Sequence, residues 1–166
     1  MGEREEFVET LGKHRGLLRR TVRDLTDEQA ARRTTASELS LGGLIKHVAA
    51  VEAIWTRFIT GGAEAMRSGG GGSGGEDWAE QFRMAEGETL AGLLAEYERV
   101  ARETDELVRG LPDLDLAHPL PPAPWFEQGA SWSARRVLLH LIAETAQHAG
   151  HADIIRESLD GAKSMG

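Results

Sequence analysis

The chain has 166 residues, a formal net charge of −8 and no cysteine. That length suits one domain, 1–166, able to bury a core without staples; the missing cysteine excludes disulfides, thiolate ligands and a cysteine nucleophile. The acidic balance disfavours nucleic-acid binding, no segment has the apolar length of a membrane span, and MGEREEFVET does not read as a signal peptide, so a cytoplasmic protein is expected.

In chain order, helical periodicity predicts a first helix from about Glu3 to Asp24. Thr26, Asp27, Glu28 and Gln29 form a capping box that opens a short helical turn. Ser40 caps a second helix expected to end near Ile59, where Gly61 and Gly62 stop it. Residues 61–77, GGAEAMRSGGGGSGGED, read as a flexible Gly-rich loop. A third helix fits Thr89 to Arg109, closed by Gly110 and Pro112. Residues 110–132 form a Pro-rich loop with His118 and Trp125. Ser133 caps a fourth helix that ends at Asp160, with Gly161 after it. No stretch alternates like a strand. The expectation is all-α: a four-helix bundle whose two long connections exclude a simple up-down-up-down order.

The fourth helix carries the chemistry. Val137, Leu141, Glu144, His148, His151, Ile155 and Leu159 share one stripe at about 100° per residue. Its ends are apolar and its centre is one carboxylate and two imidazoles. A bundle turns such a stripe inward, and a buried carboxylate needs a partner. On the second helix, His47 sits within the apolar row Leu44, Val48, Val51, Trp55 and Phe58. His47, Glu144 and His148 can therefore share one divalent ion. His₂Glu with an open position suits catalytic zinc and also the facial triad of non-haem iron. The competing reading is structural: core histidines are usually hydrogen-bonded, and Glu144 could pair with Arg15, Arg135 or Arg136.

Further positions carry lesser expectations. His140 lies at the stripe's edge. His151 is a candidate catalytic proton shuttle, an orienting partner of His148 or a substitute ligand, or simply a core histidine. Asp153 and Arg156 are candidate cosubstrate contacts, against an i, i+3 ion pair. Trp55 is a candidate for the pocket mouth, against a core role. His14 and His118 have no evident partner. Glu52 is expected to face water or another helix. Leu17, Leu18, Val22, Leu93, Leu94 and Val100 are spaced to leave apolar surface for a homodimer.

RRVLLHLIAETAQHAGHADIIRESLDG, residues 135–161, resembles the last helix of the DinB/YfiT-like superfamily, closest to its mycothiol-dependent S-transferase and maleylpyruvate isomerase branch. LSLGGLIKHVAAVEAIWTRFITG (39–61) and ETLAGLLAEYERV (88–100) are similar to other segments of that branch. The resemblance implies an up-down-down-up bundle and a divalent metal, zinc most often and also nickel. It implies ligands at His47, Glu144 and His148. The Glu favours the thiol-transferase branch over relatives with His there. Arg135 and Arg136 depart from the family's apolar or aromatic pattern before Val137, and the Gly-rich tract 68–75 looks expanded. The implied activity is transfer of a low-molecular-weight thiol such as mycothiol to an electrophilic small molecule. With no cysteine in the chain, that thiol must come as a cosubstrate. Rival expectations are a metal-dependent isomerase or hydrolase that activates water, and a non-catalytic metal-binding or dimerisation module.

Overall fold

The computed structural model describes residues 1–68 and 79–165. Its helices are α1 (Glu3–Arg20), α2 (Asp27–Ala31), α3 (Leu41–Arg67), α4 (Leu90–Gly110) and α5 (Ala134–Asp160). Two short strands, β1 (Ala117–Pro119) and β2 (Ser131–Ser133), lie between α4 and α5. The expected helix starts are made by side chains that satisfy otherwise unpaired N–H groups. Thr26 and Gln29 form the reciprocal capping box of α2. Ser40, Thr89 and Ser133 accept from the backbone of Gly43, Gly92 and Arg136. Gly161 closes α5 with φ +79°, a conformation glycine adopts without a Cβ penalty.

Two expectations are corrected. The Gly61–Gly62 pair does not end α3. The helix bends there and continues to Arg67, with Gly62 at φ 70°, ψ −161°. A Cβ on Gly62 would meet the His118 ring at 3.3 Å, so this glycine also admits β1 alongside α3. Residues 69–77 of the expected Gly-rich loop lie outside the described residues. The Pro-rich connection is not strand-free: Ala117, His118 and Pro119 pair antiparallel with Ser133, Trp132 and Ser131. Three-residue strands are too short for alternation to show.

The four long helices pack as a bundle, with α1 against α5 and α4, and α3 against α4 and α5. The buried apolar side chains form two clusters. One gathers Leu11, Phe58, Val108 and Leu138; the other gathers Leu18, Ile45, Tyr97 and Ala152. Between them in each of the four long helices sits a polar level: Arg15 of α1, Glu52 of α3, Thr104 of α4 and Thr145 of α5, all buried. Arg15 donates from Nη2 to Glu52 Oε1 at 2.5 Å, from Nε to Oε2 at 3.2 Å, and from Nη1 to Asp105 at 2.8 Å. Burial opposes the Arg15 charge, yet the Glu52 and Asp105 bonds more than offset it and raise its pKa. Glu52 thus faces another helix and not water; it is 1% exposed and lies near the middle of the buried face of α3. Burial, reinforced by the Glu52 charge, pushes the Tyr97 phenol up beside this network.

The apolar surface expected between the first and third helices is not left over. Leu18, Val22 and Val100 lie in the chain's own core, and Leu17, Leu93 and Leu94 pack against it. Among the described residues no helix is long and apolar enough to cross a membrane.

Residues 82–84 lie directly on the first turn of α3. A Cβ on Gly43 would fall 1.8 Å from the Phe82 carbonyl oxygen, and one on Gly42 would fall 2.2 Å from Met84 Sδ. Lys46 Nζ holds the same stretch through the Arg83 carbonyl at 3.1 Å and Glu88 at 3.0 Å. Gly43→Ala is therefore expected to displace the segment, at a cost of about 1–3 kcal/mol in an unfolding experiment. A protein that crystallises with Phe82 unmoved and melts like the parent would contradict this close approach.

Candidate metal centre

The ligand candidates occupy one flank of each helix's buried face. On α5 the deepest positions are Leu138, Leu141, Thr145 and Ala152, and Glu144, His148 and His151 stand beside that row. On α3, His47 is similarly offset from Glu52. The expected stripe is thus correct in membership but off-centre. The imidazoles line the α3–α5 seam instead of the bundle axis.

His47, Glu144 and His148 each offer a ligand atom within 4.8 Å of the other two. His148 Nε2 is 3.5 Å from Glu144 Oε2. Two ligands of one tetrahedral ion with bonds of 2.0–2.2 Å would be about 3.4 Å apart. The His47 and His148 rings are 4.9 Å apart and nearly perpendicular. Among the described residues Glu144 has no arginine partner: Arg15 serves Glu52, Arg135 is tied to Glu3 and Asp115, and Arg136 lies over Trp132. The donor set therefore fits a divalent ion.

Electrostatics keep His47 and Glu144 in ligand form. Burial, assisted by the neighbouring His148, pushes His47 down to about 4, against the pull of Glu144, so its imidazole is neutral near pH 7. The His148 imidazole, against the opposing effect of burial, holds the Glu144 carboxyl below the ordinary range, so it is anionic. A ligand pair of neutral imidazole and carboxylate is what metal binding requires.

His151 stands where an orienting partner belongs. Its Nδ1 is 3.3 Å from Nδ1 of His148. If Nε2 of His148 holds an ion, its proton resides on Nδ1, and His151 accepts it. Phe82 stacks on His47 at 4.0 Å and covers one side of the site. An aromatic cluster adjoins α5 one turn before Glu144. Trp55 stacks on Trp132 at 4.9 Å, Phe126 meets both edge-on, and His140 contacts both indoles. Burial lowers the His140 pKa, while Glu144 opposes that effect. Glu144 keeps 29% of its side chain exposed, so the site opens to solvent on that side.

Trp55 is buried in the hydrophobic core, the alternative to the pocket-mouth role, and there packs against Trp132 and His140. Asp153 and Arg156 are engaged elsewhere. Arg156 is buried, donates to the carbonyls of Thr21 and Arg23, and pairs with Asp160. Asp153 accepts from the Ser164 backbone. Arg156 ties down the turn after α1 and Asp153 the segment after α5, in place of the mutual ion pair expected of them. His118 meets the Ile59 carbonyl at 3.2 Å. Sequence reasoning missed Phe82, Phe126 and Trp132. A lone aromatic in a connection has no periodic signal, and only the packing of Gly43 against residue 82 brings Phe82 to His47.

A helical bundle with two imidazoles and a carboxylate converging on its α3–α5 seam defines the class: a bundle carrying a His₂Glu cluster that could hold a divalent ion. The chain belongs to the mycothiol S-transferase family, whose model matches residues 6–161. This agrees with the resemblance drawn from residues 39–61 and 135–161. A solved structure of a conserved protein from Enterococcus faecalis is similar at 15% identity, with a TM-score of 0.72 over 98% of this chain and 99% of that chain, a likeness of fold. No curated protein matches the sequence.

Proposed function

We propose that this protein is a cytoplasmic, metal-dependent S-transferase that joins a low-molecular-weight thiol, mycothiol or a close analogue, to a small electrophile. The observation that carries the reading is the convergence of His47, Glu144 and His148 within 4.8 Å, in a cysteine-free member of a thiol-transferase family. These three residues would hold the ion, zinc being the best match to the donors and nickel or iron alternatives. A divalent ion there supplies positive charge that favours thiolate over thiol, the form that attacks.

The chain's own residues do the rest. His151 fixes the tautomer and ring orientation of His148. Phe82 and the Trp55–Trp132–Phe126 wall exclude water around the sulfur, which strengthens the electrostatics inside. The opening beside Glu144 admits the electrophile and holds it near the sulfur. The thiol S–H proton passes to solvent or to a nearby imidazole. The sulfur lone pair forms the S–C bond, and the displaced electron pair leaves with the leaving group or takes up a proton at carbon.

The test uses the cobalt-loaded protein. Addition of mycothiol is expected to produce a sulfur-to-metal charge-transfer absorption, and consumption of thiol with generic electrophiles should follow. A cobalt protein whose spectrum ignores thiols, and which turns over none of them, would exclude the transferase reading.

A further inference from the structure

Four imidazoles line the α3–α5 seam, and the nitrogens of three are committed. His47 and His148 offer ligand atoms to an ion, and His151 Nδ1 lies 3.3 Å from His148 Nδ1. His140 is the fourth. It stands on α5 one turn before Glu144. Trp55 of α3 and Trp132 of β2 meet its ring at 5.0 and 5.2 Å, so apolar neighbours hold it in place. Among the described residues no protein group hydrogen-bonds its nitrogens, and neither nitrogen is buried. They are accessible on the seam where Glu144 keeps 29% of its side chain exposed.

Thiol transfer leaves a proton to place. When an S–H bond is ionised inside a walled site, the proton needs an acceptor with a free lone pair. Imidazoles that hold an ion have used theirs, and His151 is turned to His148. His140, as a neutral imidazole, keeps one acceptor nitrogen. Burial lowers its pKa; Glu144 opposes that effect and Arg136 adds to it. Those two charges, on its own helix, are the ones that face it, while α3 and β2 present indoles. The ring is therefore neutral near pH 7 and able to accept. Its cation, poorly solvated there, is a stronger acid than free imidazolium and returns the proton readily.

We propose that His140 relays the thiol proton to the electrophile, and that the site is built for electrophiles that need a proton back: epoxides and conjugated carbonyl compounds. This rests on the transferase reading above. One ring nitrogen accepts the proton as the S–H bond breaks. The thiolate lone pair then forms the S–C bond. In an epoxide the C–O bond breaks and its electron pair stays on oxygen. In a conjugated carbonyl compound the C=C pair moves into an enolate. The imidazolium returns its proton to that oxygen or to the α-carbon, and His140 is neutral again. The sum is addition of R–SH, with no other reactant. An alkyl halide makes no such demand, because the halide departs with its electron pair and the proton goes to solvent.

The test uses the zinc-loaded full chain with mycothiol. With styrene oxide or methyl vinyl ketone, His140→Gln is expected to lower kcat/KM about a hundredfold, the share that general acid–base catalysis carries. With benzyl chloride the same variant should stay within about threefold of the parent, since no proton is returned. His140→Phe keeps an aromatic ring between the indoles and should show the same split, which controls for lost packing. Metal content and circular dichroism should match the parent in both variants. Imidazole nitrogen shifts by NMR should report a neutral His140 at pH 7. Equal losses with epoxide and halide, no loss with either, or a cationic His140 at pH 7 would each overturn the relay. A parent that transfers thiol to benzyl chloride but to neither styrene oxide nor methyl vinyl ketone overturns this inference and leaves the transferase reading standing. A parent that transfers thiol to none of the three overturns both.

Discussion

Replacing His148 by alanine is expected to lower divalent-metal affinity by roughly a hundred- to a thousand-fold, the share of one ligand in a protein-held zinc site. His47→Ala and Glu144→Ala should match it, because each donates one of three atoms that lie within 4.8 Å. The bundle should stay folded in all three, since Leu138, Leu141 and Thr145 fill the deep positions of α5 and the ligands stand on its flank. His151→Ala should cost less, about ten- to a hundredfold, because it orients a ligand without being one. Arg156→Met should leave affinity unchanged, since its guanidinium serves Thr21 and Arg23. Metal content by elemental analysis, with circular dichroism as the folding control, reads all of these. Full occupancy in the Glu144→Ala and His148→Ala proteins would remove the assignment.

Arg15→Met should destabilise the protein by about 3–5 kcal/mol, since it leaves Glu52 charged and buried with no cation beside it. For a chain of this size that is on the order of 10 °C in melting temperature. The double variant Arg15→Met with Glu52→Leu should recover most of the loss, because desolvating two charges consumes much of what their attraction returns. Metal affinity should change little in either, which separates this network from the centre on the flank. A single variant within 1 kcal/mol of the parent in urea unfolding would show that the pair is not buried as described. Persistence of the deficit in the double variant would place the cost in lost packing and not in the orphaned charge.

The sequence alone determined the elements that follow from local rules. Thr26, Ser40, Thr89, Ser133 and Gly161 mark helix ends because caps act through neighbouring backbone groups, within four residues. The set His47, Glu144 and His148 was legible because a polar stripe interrupting an apolar periodicity needs a reason, and the family resemblance supplied it. The tertiary structure decided what depends on contacts between distant segments. Which side of each helix is deepest was one such matter. Helical spacing gives the members of a face but not its centre: Glu52, expected to face water or another helix, lies near the middle of the buried face of α3 against Arg15, and His47, also buried, stands to one side of it. The continuation of α3 through Gly62 was another, since only the approach of His118 shows why the chain bends there and does not stop. Arg156 could not be placed from its spacing, because its partners, Thr21 and Arg23, are more than 130 residues away in the chain. Phe82 reaches His47 only through the close packing of residue 82 on Gly43, a contact that no periodicity encodes.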